Sequence, residues 1–111
     1  MSSFCLDFPV VGVTFENRQE IWSKILDDNL SFGVLPAVKL EKEDDNPYDS
    51  NAVAVRCLVD NDFKKVGYLP KRVNEGFRNI VKDKGFNCWI KSVGRGASGD
   101  IGASLRIEIL G

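Results

Sequence analysis

Histidine is absent from the 111 residues. That removes His-based acid–base catalysis, Ser-His and Cys-His nucleophile pairs, and histidine ligation of metals. Cysteine is scarce as well. Cys5, Cys57 and Cys88 are odd in number and far apart, which indicates neither a disulfide framework nor a zinc site. No apolar run approaches the roughly 18 residues that a bilayer span needs. The N-terminus lacks a basic stretch followed by an apolar core and a cleavage site, so no secretory signal and a cytoplasmic location are expected. Repeats and low-complexity tracts are missing too. What remains is a chain with 43% hydrophobic and 28% charged residues. Such a composition folds, and this length suits a single domain spanning 1–111.

The net charge of −1 argues against a general nucleic-acid coat, but it hides an asymmetry. Residues 1–63 carry five basic and twelve acidic side chains, whereas residues 64–95 carry nine basic and two acidic. The basic block comprises Lys64, Lys65, Lys71, Arg72, Arg78, Lys82, Lys84, Lys91 and Arg95. It reads either as a solvated helix face or as a local phosphate-binding patch on an acidic body.

Patterning gives the order β-α-β-β-β-α-β-β. Residues 8–15 are β-branched and aromatic and predict a strand. Asn17 and Glu20 have the spacing of a capping box, and Ile21, Trp22, Ile25 and Leu26 share one face of the helix that follows, with a stop near Asn29. Strands are expected over 34–43, 51–59 and 65–69, with a turn at 60–62. Pro70 opens a second helix carrying Val73, Phe77, Ile80 and Val81, and Gly85 suits its left-handed stop. A strand over 86–93 and a glycine-rich loop over 94–102 precede the strand 104–110. There Leu105, Ile107 and Ile109 point inward while Arg106 and Glu108 point out. Trp22 and Trp89 both sit in apolar runs and are expected in the core. Short strands separated by turns and two short helices make the chain mainly β. They fit a small closed or nearly closed barrel, because closure removes exposed strand edges.

The polar segment Asp45-Asn46-Pro47-Tyr48-Asp49-Ser50-Asn51 admits three readings. Its carboxylates could hold a metal or act as an acid–base pair, but no second acidic cluster supports that. It could be a loop whose Asn and Asp side chains bond their own backbone. It could also be a recognition loop, in which Tyr48 offers a stacking face and Asp49, when ionised, only accepts hydrogen bonds. A carboxylate suits a hydroxyl and repels a phosphate. The glycine-rich loop lacks Walker A spacing and its lysine. No nucleophile–base pair or metal cage is apparent, so neither an enzyme nor a cofactor is expected.

Three stretches together resemble the HIRAN domain: residues 10–15 (Val-Val-Gly-Val-Thr-Phe), residues 46–55 (Asn-Pro-Tyr-Asp-Ser-Asn-Ala-Val-Ala-Val) and residues 66–70 (Val-Gly-Tyr-Leu-Pro). The resemblance spans about residues 7–110 and is similar to a stand-alone bacterial or phage-type HIRAN protein. It implies a small OB- or SH3-like β-barrel flanked by two helices, and a non-catalytic module that binds the 3′-hydroxyl end of single-stranded DNA. Repair, replication-fork or phage processes are implied, with a helicase or nuclease as a candidate protein partner.

Transferred to matching positions, Asp49 takes the hydroxyl, Tyr48 stacks or lines the pocket, and Phe15 is the first-strand aromatic. Thr14 stands where relatives carry arginine, Asn46 matches, Tyr68 stands where histidine can occur, and Lys71, followed by Arg72, matches a basic position. Stacking of two bases plus one or two phosphate contacts predicts roughly micromolar affinity. The alternative is a protein-interaction module of the same fold with no role in DNA binding.

Overall fold

The computed structural model describes residues 3–111, so residues 1 and 2 of the expected domain lie outside the described residues. The order is β1 (Phe4–Pro9), α1 (Arg18–Phe32), β2 (Val38–Glu43), β3 (Ala52–Val59), β4 (Asp62–Tyr68), α2 (Lys71–Val81), β5 (Phe86–Arg95) and β6 (Ile101–Ile109). The expected succession of strands and helices is therefore present, with shifted boundaries.

Among the described residues, the ladders form two three-stranded antiparallel sheets, ordered β1-β6-β5 and β2-β3-β4. The chain is mainly β, as expected, and its ladders group into two sheets. A short seam stitches them together. Val10 N–H donates to Ala103 O (2.9 Å), extending β1 alongside β6, and the next residue, Val11, exchanges two 2.9 Å bonds with Tyr68 on β4. The strand thus changes sheets within one residue, which is how the corners of packed sheets are made.

The first strand begins earlier than residues 8–15 suggest, because Leu6 and Phe8 alternate inward while Asp7 faces Arg106 on β6. Beyond Val11 the chain leaves the ladder in a turn with Gly12 at φ 69°. The proposed capping box at Asn17 does not form. Asn17 has φ −95° and ψ 19°, and its side chain makes no cap bond. The first turn is tied instead by backbone bonds from Arg18 to Phe15 O and from Glu20 to Asn17 O. α1 also runs past Asn29. It ends at Gly33, whose left-handed φ of 70° lets its N–H return to Asn29 O.

Pro36, which lacks an N–H, precedes β2, and Ala37 O already accepts Leu58 N–H at 3.0 Å just ahead of that strand. Asp60 and Asn61 both take positive φ, 54° and 66°, and form the two-residue β3–β4 hairpin. α2 stops at Val81 with Lys82 still helical, so Gly85 is not its cap; its carbonyl instead accepts Leu110 N–H at 2.9 Å. The glycine-rich loop contracts to residues 96–100, because Gly94 and Arg95 pair with Gly102 and Ile101.

Burial follows the alternation expected for β6: Leu105, Ile107 and Ile109 are fully buried, as is Trp22, whose Nε1 donates to Val66 O. Trp89 departs from expectation. It lies on the outer face of the edge strand β5 and is 41% exposed. The cysteines are free thiols. Burial pushes the Cys57 thiol up to about 12, with Cys88 adding to the effect, and burial does the same to Cys88. Among the described residues, no helix is long and apolar enough to cross a membrane.

Candidate functional site

The loop between β2 and β3 (residues 44–51), the turn after β1, the end of β4 and the start of α2 enclose a groove of about 1310 Å³. It receives Phe15, Asn46, Tyr48, Asp49, Tyr68 and Lys71, six of the eight residues singled out in the sequence. Thr14 is exposed in the turn beside it, and Arg72 is exposed on α2; neither lines the groove.

The β2–β3 loop is built from its own side chains. Asn46 Oδ1 accepts from the backbone N–H groups of Tyr48 (2.9 Å) and Asp49 (3.1 Å), an Asx turn. Asn46 Nδ2 donates to Glu43 Oε1 at 3.2 Å, anchoring the turn to the end of β2. Tyr48 is thereby presented to solvent at 87% exposure. Asp49 is held from both sides: Oδ1 accepts Asn51 N–H at 2.9 Å and Oδ2 accepts Asn74 Nδ2 at 2.8 Å. Because Asn74 is 2% exposed, this anchor is rooted in the packed face of α2. The Asn74 and Asn51 bonds, then the nearby Lys71 and Arg78 charges, outweigh desolvation and hold the Asp49 carboxyl below its usual range. It is an ionised acceptor whose remaining lone pairs are free for a donor.

The groove carries a second carboxylate, more heavily bonded. Glu43 accepts from Tyr68 OH at 2.8 Å and pairs with Lys65 Nζ at 2.5 Å, and Lys65 also donates to Tyr68 OH at 3.0 Å. Burial works against the charge of Glu43, but the bonds from Lys65, Tyr68 and Asn46 outweigh it and keep the pKa low. Lys65 is likewise disfavoured by burial and raised overall by Glu43 and Tyr68. Tyr68 lies between two cations, Lys65 at 5.1 Å and Arg18 at 5.4 Å from its ring centre.

Four members of the basic block are engaged in ion pairs. Lys64 pairs with Asp60, Lys65 with Glu43, Arg78 with Asp44 and Lys91 with Asp7. Only Lys65 and Lys71 of the block line the groove, and Lys71 Nζ donates to Tyr48 O at 3.3 Å. Arg18, Glu43 and Asn74, which the sequence pattern gives no place in the site, complete it together with Lys65 of the basic block. Asn74 carries a signal: it is a poor helix former one turn before the core residue Phe77, which suits the buried face. Arg18 sits in the first turn of α1, where only the capping spacing is legible, and Glu43 looks like the end of a strand. Among the described residues, no group of three or more His, Cys, Asp or Glu could hold a metal ion.

No curated protein matches the chain. The crystal structure of a protein from Lactobacillus plantarum is similar in fold, with a TM-score of 0.58, 20% identity and 97% of each chain covered. The HIRAN domain family model matches residues 3–109, which contain both sheets, both helices and the groove with its Asn46–Asn51 turn. On that match over nearly its whole length, the chain belongs to the HIRAN domain family.

Proposed function

We propose that this HIRAN domain is a non-catalytic reader of the 3′-hydroxyl end of single-stranded DNA, with the groove between the β2–β3 loop and α2 as its site. Family membership implies a DNA-binding module. The observation that carries the finer reading is the Asp49 carboxylate, ionised, fixed by Asn51 and the buried Asn74, and adjacent to the exposed ring of Tyr48. A terminal hydroxyl can donate to that carboxylate, whereas a terminal phosphate is repelled by it. Tyr48 and Phe15, which is 65% exposed, supply π-faces, and Lys71 supplies a cation for the backbone. Free 3′ ends arise in repair and at replication forks, and a helicase or nuclease acting on the same end is the fitting protein partner.

The test is fluorescence anisotropy with a short 5′-labelled strand ending in either 3′-hydroxyl or 3′-phosphate. The hydroxyl strand should bind about tenfold or more tightly, as a charge-assisted hydrogen bond implies. Asp49→Asn should erase that preference. Equal binding of both ends by the unaltered protein would refute end recognition.

A second reading, a protein-interaction module, draws on Leu30 and Phe32 at the end of α1, each 75% exposed, and on Val34 at 53%. It gains ground only if no strand binds and a partner is lost on Phe32→Ser.

A further inference from the structure

Arg18 is the one arginine among the residues lining the groove, and its side chain is only 6% exposed. A guanidinium that deeply placed must have its charge and its N–H groups met. Nη1 donates to Gly12 O at 2.7 Å. Phe15 and Tyr68 flank the group, with ring centres 6.0 and 5.4 Å from its central carbon, and they hold it without supplying an anion. Its counter-charge comes from Glu16, whose Oε1 accepts from Nη2 at 3.1 Å.

Glu16 is loosely placed for that duty. Its side chain is 74% exposed, and this hydrogen bond is the one its carboxylate makes among the described residues. Its backbone sits at φ 55°, a left-handed conformation that non-glycine residues seldom adopt. If the carboxylate swings away, Arg18 keeps its Gly12 bond and its two ring neighbours, and one N–H edge opens with its direction unchanged. A guanidinium fork matches a phosphate as well as it matches a carboxylate.

We propose that Arg18 is a phosphate-binding residue of the groove, and that Glu16 is its intramolecular stand-in, displaced by a backbone phosphate of the entering strand. The inference rests on reading the groove as a site for a DNA strand. It adds an anion exchange: the bond from Nη2 to Glu16 is lost and one to a phosphate oxygen replaces it. Glu16 thereby sets the affinity threshold and excludes weaker anions from the guanidinium.

The experiment compares the unaltered protein, Glu16→Gln and Glu20→Gln on the 5′-labelled 3′-hydroxyl strand. Glu20 is exposed in the first turn of α1, two residues after Arg18, and does not line the groove, so its variant removes one negative charge without touching Arg18. Glu16→Gln should bind at least about fivefold more tightly, and Glu20→Gln should change affinity by less than about twofold. The Glu16→Gln gain should vanish on a strand whose last linkages are uncharged methylphosphonates. It should also vanish in the double variant with Arg18→Gln, which removes the charge and whose melting temperature checks that it folds. Unchanged or weaker binding by Glu16→Gln overturns the inference, as does an equal gain from Glu20→Gln or a gain that survives on methylphosphonates. These outcomes are scored on strand affinity, so they separate from failure of end recognition, which shows as equal binding of hydroxyl and phosphate ends. Absence of binding by both the unaltered protein and Glu16→Gln would overturn both.

Discussion

Asp49 and Glu43 are carboxylates of one groove, and their neighbours give them different capacities. Glu43 takes three bonds, from Lys65, Tyr68 and Asn46, so it ties the wall of the groove together. Asp49 spends one oxygen on Asn51 and one on Asn74, and a carboxylate accepts about four hydrogen bonds in all, so it can still receive a ligand's donor. Gly67 works at the same scale but for the seam. A Cβ there would lie 2.5 Å from both Val10 Cγ1 and Val11 O, within the two-bond bridge that joins the sheets. Gly67→Ala is therefore expected to cost about 2–3 kcal/mol or more by forcing the seam apart. A urea titration measures the cost; a midpoint within error of the unaltered protein would mean that the seam yields freely.

At the scale of an element, the same substitution takes opposite signs in two places. Gly33 closes α1 at φ 70°, so Gly33→Ala should destabilise by about 1 kcal/mol although nothing lies within 4 Å of the added Cβ. Gly76 lies inside α2, exposed, with no left-handed φ and open space around it. Gly76→Ala should stabilise by about 0.5–1 kcal/mol by restoring helix propensity. Thermal melts of the two variants should move in opposite directions. On β6, Ile107 is fully buried while Glu108 faces outward, accepting from Ser3 and Asn87. Ile107→Asp buries an unpaired charge and should cost more than about 4 kcal/mol, whereas Glu108→Lys should stay within about 1 kcal/mol. Equal damage from both, read by circular dichroism and urea midpoints, would contradict the one-sided burial of this central strand.

For the whole molecule, the lowered carboxylates set the acid limb of stability. Asp7 is held below its ordinary value of 3.8 by its bonds to Arg106 and then to Lys91, across the outer face of the β1-β6-β5 sheet. Asp49 and Glu43 are lowered as well. A carboxylate with a depressed folded pKa contributes stability that is complete above its unfolded pKa and is lost as pH falls through the folded one. Lys65, raised by its partners, contributes stability that is complete below its unfolded value of 10.5 and is lost as pH rises through the folded one. The Cys57 and Cys88 thiols, pushed by burial from 9.0 up to about 12, oppose the folded state earlier, once pH rises above their unfolded value. The melting temperature should thus be level from about pH 5 to about pH 9 and fall on either side. Asp7→Asn should flatten part of the acid limb; an acid limb identical to that of the unaltered protein would show that the Arg106–Asp7–Lys91 group adds nothing to it.

The amino-acid sequence by itself determined the mainly β class, the order of elements, the inward face of β6 and the Asn46–Asn51 turn. Each depends on contacts within a few residues, on two-residue alternation, or on a motif long enough to be specific. It also placed six site residues in one groove, because those residues belong to three motif stretches that the fold brings together. The tertiary structure alone decided the rest. The division of the strands into two three-stranded sheets came from folding, because alternation reports which face is buried but not which strand is the partner. Trp89 came to the surface because its apolar neighbours do not reveal that β5 is an edge strand. Four members of the basic block are drawn into ion pairs; Asp60 lies four residues before Lys64, whereas Asp7, Glu43 and Asp44 reach theirs from distant segments. Arg18 and Asn74 entered the site for the same reason. Their partners lie across a turn or on another element, and only folding sets which donors and acceptors meet.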